Sequence, residues 1–221
     1  MILSDIRASV RNRLDDTSFD QASVDEGINF FVQDMLTNHR IRFMETEDDI
    51  YISAGDTSAA FPDDVQVLLN VHVTSPQTYN ILNRYMEYGD FMKSYPGYAT
   101  YTPGQVYTWT DFGDQMRLAA PALTDTVVHV DYVRSPTLLV NDTDVCDIPD
   151  SYKHMVVLGA LVYCMERNED YGEASTERAN LNPLTTTFIT SEGRGQIKVG
   201  PTIMRTNRRI ARGSYRADRD F

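Results

Sequence analysis

Four acidic residues that crowd one short linker are the first candidates for chemistry: Asp142, Asp144, Asp147 and Asp150. Calcium takes several carboxylate oxygens as ligands, so this crowding could hold a hard cation. The spacing, however, lacks the glycine and the terminal glutamate of a calcium-binding loop. A solvated loop with a helix cap explains these residues more simply, and we expect no metal here.

Other residue types with chemical potential form no recognisable constellation. A second acidic run, Glu45 to Asp49, is typical of a solvated surface, and paired carboxylates for glycoside cleavage cannot be nominated because such partners meet only in space. The four histidines show neither H-x-x-x-H nor H-x-E spacing, so we predict structural roles for them and no zinc site: His39, His72, His129 and His154. No G-x-S-x-G elbow or phosphate loop occurs. We therefore predict a protein without catalytic residues or cofactor.

Charge and cysteine usage narrow the class of protein. The 221 residues carry 20 Lys and Arg against 32 Asp and Glu, a net charge of −12, which argues against a protein that binds nucleic-acid phosphates tightly.

The two cysteines and the apolar segments indicate the compartment of the protein. Cys146 and Cys164 form no C-x-x-C pair and are expected to be unlinked thiols in a reducing compartment. No signal peptide is predicted, and the longest apolar run, Met155–Met165, is shorter than the ~20 residues that span a bilayer. We expect a soluble intracellular product with no membrane partner.

The two ends of the chain carry helical patterns. Leu3, Ile6, Val10 and Leu14 share one helix face, with Ser4 or Asp5 as a possible N-cap. Ser23 and Glu26 have the spacing of a capping box, and the stripe that follows is apolar: Val24, Ile28, Phe31 and Met35.

Two further helices are predicted near the C-terminus. One opens at Ile148–Ser151, capped by Asp147 or Asp150, and is apolar on every side as far as Arg167, which is typical of a helix buried between others. Gly159 and Ala160 in its middle allow a neighbouring backbone to come close. The other begins near Tyr171, and Pro183 either kinks it or starts a new turn capped by Asn182.

The middle of the chain has the character of β-structure. Runs of β-branched and aromatic residues are bounded by Gly and Pro pairs, Val128–Val133 alternates as a half-buried strand does, and Trp109–Gln115 is typical of a hairpin. The predicted class is therefore α+β: a helical bundle formed by the N- and C-terminal segments, with an inserted antiparallel β domain and an extended C-terminal arm. The predicted boundaries are residues 1–46 and 147–192 for the bundle, 47–146 for the β domain, and 193–221 for a basic arm.

Aromatic residues concentrate inside the inserted domain. Since tyrosine suits surfaces with one apolar and one wet side, we predict a subunit or tail interface there: Tyr85, Tyr88, Phe91, Tyr95, Tyr98 and Tyr101. A tyrosine-rich sandwich core is an equal alternative. A third is a carbohydrate-binding or nucleic-acid-stacking platform, of which the acidic balance disfavours the nucleic-acid form.

The order of several short motifs resembles the head-to-tail adaptor, or connector, proteins of the neck of tailed bacteriophages. These motifs are Phe61–Val65, Gly104–Tyr107, Met116–Pro121, Val130–Leu139 and Ile148–Tyr152, which opens the long apolar helix. The resemblance covers roughly residues 1–190. The chain departs from the pattern at Gln105-Val106, where a proline is expected before Tyr107, and in its inserted tyrosine-rich stretch.

The resemblance implies a structural virion protein made in the host cytoplasm. Such proteins form a homo-oligomeric ring, most often a dodecamer, which docks under the portal protein and extends the DNA channel toward a downstream tail or nozzle protein. The ring surrounds DNA without sequence-specific binding. An alternative reading is a tail-associated peptidoglycan hydrolase that uses carboxylates the sequence does not single out.

The C-terminal arm matches the segment that clasps the portal in the family. Residues 201–221 carry six arginines and two aspartates, a net charge of +4, which leaves −16 on the first 200 residues. We expect the arm's arginines to pair with acidic portal surface and its apolar residues to anchor it: Ile203, Met204, Arg205, Arg208, Arg209, Ile210, Arg212, Tyr215, Arg216 and Phe221. An acidic channel wall would repel DNA and keep it from sticking.

Overall fold

A computed structural model of the protein describes residues 1–14, 19–75, 84–104 and 108–196. The helices are α1 (Leu3–Leu14), α2 (Gln21–Asn38), α3 (Tyr88–Ser94), α4 (Lys153–Arg167) and α5 (Tyr171–Glu192). The strands are β1 (His39–Ile41), β2 (Glu45–Ile52), β3 (Ser58–Ala60), β4 (Val65–Ser75), β5 (Arg84–Tyr85), β6 (Thr108–Phe112), β7 (Gln115–Leu118), β8 (Thr126–Arg134) and β9 (Gly193–Gln196). The predicted α+β class is confirmed. No helix in these ranges is both long and apolar enough to cross a membrane.

The described chain divides into two compact units. The helical unit contains residues 1–44 and the described residues from Ser135 onward, and the β unit contains residues Glu45–Arg134. Residues 135–146, which the sequence pattern assigned to the β segment, join the helical unit because their backbone bonds to it: Leu3 N donates to Asp144 O at 3.0 Å. Residues 193–196, expected to begin the arm, instead form β9, which pairs with β1.

The buried helix α4 organises the helical unit. It packs against α1, α2 and α5, and every residue from Met155 to Val162 is buried, as its apolar sequence predicts. At Gly159 the close neighbour is a side chain and not the predicted backbone, because a Cβ placed there would overlap the ring of Phe31 on α2. One turn before Phe31 on α2, a Cβ at Gly27 would lie 2.9 Å from Cδ1 of Tyr163 and 3.2 Å from the backbone oxygen of Ala160. The apolar stripe of α2 therefore packs directly against the backbone of α4.

The predicted helix caps are wrong. The backbone amides at the starts of these helices bond to groups other than the predicted cap residues. α2 begins two residues before Ser23, and its N-cap is Asp20, whose Oδ1 accepts from Ser23 N at 2.7 Å. Glu26 instead accepts from Tyr163 Oη at 3.1 Å and pairs with Arg167. α1 begins at Leu3, so Ser4 and Asp5 lie inside it.

Helix α5 is continuous through Pro183, so no second helix begins at Asn182. Proline cannot donate a backbone hydrogen bond, which normally weakens a helix. Threonine hydroxyls bond to backbone carbonyls around it: Thr186 Oγ1 donates to Asn182 O at 2.8 Å, and Thr187 Oγ1 donates to Pro183 O at 2.8 Å. The apolar face of α5 continues past Pro183, because Leu181 before it and Phe188 after it are both buried.

Both cysteines are free thiols, and both are buried. Burial raises the pKa of the Cys146 thiol and of the Cys164 thiol to about 11 in each case. A thiol with so high a pKa is almost wholly protonated at neutral pH, and the thiolate is the form that attacks electrophiles and binds metals. These residues are therefore packing residues of the helical unit.

Two sheets build the β unit. A three-stranded antiparallel sheet has the order β2-β8-β4, and a four-stranded sheet has the order β3-β7-β6-β5, in which the two-residue β5 runs parallel to β6. Side chains from both sheets form one hydrophobic core, which includes Ile50, Val130, Trp109 and Met116. The predicted hairpin is confirmed: β6 and β7 pair from Trp109↔Leu118 to Phe112↔Gln115, and Gly113 in the turn has φ +61°.

Candidate functional site

The outward-facing side of the three-stranded sheet carries a polar cluster. Along β8, Val128, Val130 and Tyr132 point into the core, so the alternating residues His129 and Asp131 face the other way. The register brings neighbours from both flanking strands into two rows. The residues of this polar face are Glu47 and Asp49 on β2, His129 and Asp131 on β8, and Asn70 and His72 on β4.

His129 lies at the centre of the polar face. Its Nδ1 is 2.7 Å from Asp49 Oδ1, and its Nε2 is 3.4 Å from Glu47 Oε2 and 3.5 Å from Asp131 Oδ1. The hydrogen bond with Asp49 is the main cause that raises the pKa of His129, and the charges of Asp131 and Glu47 add to it while burial opposes it. Asn70 Nδ2 donates to the other oxygen of Asp131, Oδ2, at 3.0 Å.

The aromatic residues of the β unit pack mainly on one another. Tyr88, which begins α3, stacks on Phe112 of the β6 strand with ring centroids 4.1 Å apart. The guanidinium carbon of Arg117 lies 4.4 Å from the centroid of Phe112, and its Nη1 donates to Tyr98 Oη at 3.3 Å. This cluster therefore combines ring stacking between α3 and the hairpin with a cation–π contact within the hairpin.

One of the aromatic residues predicted at an interface is buried in this chain, and a second is partly buried against the core. Phe91 is 0% exposed, and the rings of Tyr95 and Tyr98 lie 5.4 Å from it, so it is a core residue of this chain. Tyr85 packs on Trp109 and donates from Oη to Asp111 at 2.7 Å. Tyr101 is 39% exposed. Of the six predicted residues, all except Phe91 keep surface that another subunit could contact: Tyr85, Tyr88, Tyr95, Tyr98 and Tyr101.

The four aspartates of the acidic linker, which first suggested a cation site, bond to other groups of this chain. Asp142 pairs with Arg7 at 2.7 Å, and Asp144 Oδ2 accepts the backbone amides of Val140 and Asn141, both at 2.8 Å. Asp147 accepts from Thr137 N at 2.8 Å instead of capping a helix, and Asp150 pairs with the amino group of Met1. These carboxylates point at different partners, and in the described part of the chain none of them joins a metal-like group.

A comparison with known protein families identifies the family of this chain. The model of the SU10 adaptor protein family matches residues 1–211 of the 221. The chain belongs to this family. No curated protein matches the chain significantly. Family membership makes the chain an adaptor protein of a bacteriophage virion, and the family is one of structural proteins.

The motifs that resembled adaptor proteins have structural roles in this adaptor. Phe61 is buried in the β core beside Trp109, and Asp64 of the same motif accepts from Tyr132 Oη at 2.9 Å. Leu139, at the end of another motif, is held by Asn29, whose Oδ1 accepts from Leu139 N at 2.8 Å. The described residues of these motifs therefore stabilise the fold of the adaptor.

Only some of the site residues predicted for the adaptor lie among the residues that the structure describes. The arm residues from Ile203 to Phe221 lie outside the described residues, as does the segment Gln105–Tyr107. The polar face was missed as a unit, because Glu47 and Asp49 were interpreted as a solvated run and His129 as an isolated structural residue. The alternation of His129 and Asp131 in one strand was the available signal, since residues two apart share a face.

Proposed function

We propose that this adaptor forms a ring, of twelve copies as is most common for such proteins, which docks beneath the portal and continues the DNA channel toward the tail. The observation that carries the proposal is the family match, which covers both units and reaches residue 211, within the basic arm. Portal and downstream tail or nozzle proteins are the proposed partners. DNA passes through the ring without sequence-specific contacts.

The division of charge supports this arrangement. The first 200 residues carry a net −16, and Glu47, Asp48 and Asp49 on β2 are among the exposed acids of the β unit. A negative wall repels phosphates, so DNA slides past it without binding. We expect the bore of the assembled ring to be net negative. A cryo-EM map of the neck with a bore lined by lysine and arginine would contradict this part of the proposal.

The basic arm is proposed to clasp the portal. Its arginines can form charge-assisted hydrogen bonds with acidic residues, and its interspersed apolar residues can enter pockets on the partner. The remaining surface of the tyrosine-rich cluster, including Tyr88 and Tyr98, is proposed to contact the neighbouring subunit or the tail.

Deletion of residues 201–221 is expected to leave a folded protein that no longer enters portal-containing particles. The circular dichroism spectrum and thermal transition of the truncated protein test folding, and immunoblotting of purified particles tests incorporation, which we expect to fall by roughly tenfold or more, the scale of losing an interface hot spot. A full-length variant with the six arm arginines changed to glutamine tests the charge contribution, and an arginine-to-lysine variant is its matched control. Incorporation of the truncated protein at the normal level would rule out the clasp.

A further inference from the structure

The polar face brings three potential metal ligands together from two strands. Glu47 on β2 and Asp131 on β8 are direct partners in the antiparallel register, and His129 lies two residues before Asp131 on the same side of the sheet. One ligand atom from each of the three lies within 4.8 Å of the others. In the described ranges this is the one group of three ligating side chains that meets this distance.

The distances within this group suit a small divalent cation. In a tetrahedral zinc site with bonds of about 2.0–2.1 Å, neighbouring ligand atoms lie roughly 3.3–3.4 Å apart. The observed separations from His129 Nε2 are 3.4 Å to Glu47 Oε2 and 3.5 Å to Asp131 Oδ1. Because both strands are fixed by an unbroken ladder from Glu45↔Val133 to Ile52↔Thr126, an ion could be bound by side-chain adjustment alone.

Two further residues orient the ligands in the way that metal sites require. Asp49 Oδ1 lies 2.7 Å from His129 Nδ1, so in the neutral ring Nδ1–H donates to Asp49 and Nε2 keeps its lone pair. A carboxylate in this position is the usual second partner of a metal-bound histidine. Asn70 Nδ2 donates to Asp131 Oδ2, which leaves Oδ1, the oxygen nearer Nε2, available. These two contacts therefore leave His129 Nε2 and Asp131 Oδ1, which lie 3.5 Å apart, as the atoms available to bind an ion.

We propose that Glu47, His129 and Asp131 bind a divalent transition-metal ion of the Zn²⁺ class, with Asp49 and Asn70 as positioning residues. One imidazole nitrogen and two carboxylate oxygens favour such an ion over Mg²⁺ or Ca²⁺, which prefer oxygen ligands alone. A bound ion would tie β2 to β8 and offset negative charge on an acidic surface. The two cysteines do not compete for it, because both are buried in the helical unit.

Isothermal titration calorimetry of the full-length protein tests the site. Protein stripped with EDTA is titrated with ZnCl₂ at pH 8, because a proton competes with the metal for the imidazole. We expect one saturable Zn²⁺ per chain and at least tenfold weaker binding of MgCl₂ and CaCl₂. Glu47→Gln and His129→Asn should each weaken Zn²⁺ binding by roughly tenfold or more. Asp49→Asn should weaken it by about 10–100-fold, as for other outer partners.

Asp48→Asn is the matched control. It removes the same charge from the same strand, but Asp48 is exposed and has the opposite strand parity to Glu47 and Asp49, so Zn²⁺ affinity should stay unchanged. Absence of saturable Zn²⁺ binding, or equal binding by wild type and Glu47→Gln, would overturn the proposal. Because the Glu47 side chain is 74% exposed, its substitution should not impair folding. Co²⁺ offers a second readout, since its visible absorption should reveal imidazole and carboxylate coordination in the wild type and not in His129→Asn.

Discussion

Replacing Arg7 with methionine should destabilise the helical unit by about 3 kcal/mol, near the lower end of the range for breaking a buried ion pair. Arg7 is only 7% exposed. Its Nε and Nη2 donate to the two oxygens of Asp25 at 2.6 and 2.8 Å, and its Nη1 donates to Asp142 at 2.7 Å. One guanidinium thus joins α1, α2 and the acidic linker. These hydrogen bonds also raise the pKa of Arg7 against the opposing effect of burial.

The cost arises mainly at Asp25, because its side chain is 21% exposed and would lose its partner, whereas Asp142 is 68% exposed and can be rehydrated. Urea denaturation followed by circular dichroism measures the change. Lysine at position 7 should recover only part of the stability, since an ammonium group cannot make the two-pronged contact. Arg11→Met, on an exposed position of the same helix, should change stability by no more than about 0.5 kcal/mol. A loss below 1 kcal/mol for Arg7→Met would show that the network contributes little.

Gly159→Ala should destabilise the protein by about 2 kcal/mol or more, although alanine is the better helix former. The added methyl group would overlap Cγ, Cδ2 and Cε2 of Phe31. The overlap includes the base of the ring, so Phe31, which is itself buried, would have to move as a whole. Because the overlap is this close, we expect an overpacking cost at or above the upper end of its usual range, about 3 kcal/mol. The helix-propensity gain of about 1 kcal/mol offsets part of that cost and leaves a net loss of about 2 kcal/mol or more.

Gly172→Ala is the matched control for this substitution. Gly172 lies near the start of α5, and a Cβ there meets no atom within 4 Å, so alanine should leave stability unchanged or raise it by up to about 1 kcal/mol. Combining Gly159→Ala with Phe31→Leu should cost less than the sum of the two changes, because the smaller side chain relieves the overlap. Denaturant midpoints of the wild type, the three single variants and the double variant measure these changes. A Gly159→Ala protein as stable as the wild type would contradict the close contact between α2 and α4.

Patterns that depend on neighbours along the chain were predictable. The apolar stripe of α2, the fully apolar α4 and the alternation in β8 reflect the repeats of a helix and a strand, which each segment carries by itself. The helix caps were less predictable, because Asp20 and Ser23 both offer side chains that cap helices and the structure uses Asp20. The short helix α3 was missed because its seven residues lie in an aromatic segment whose composition favours strands.

The features of the fold and of the candidate sites likewise fall into those that the sequence alone predicts and those that depend on the tertiary structure. The sequence alone determined the α+β class, the buried helix, the hairpin and the separation of charge between body and arm, since composition and short-range periodicity carry that information. Only the tertiary structure decided that Phe91 is a core residue, that the acidic linker is held by its own partners, and that Glu47 meets His129. The strand order β2-β8-β4 brings those last two residues together, and the pairing of strands distant in sequence is a property of the packed sheet that no local pattern records.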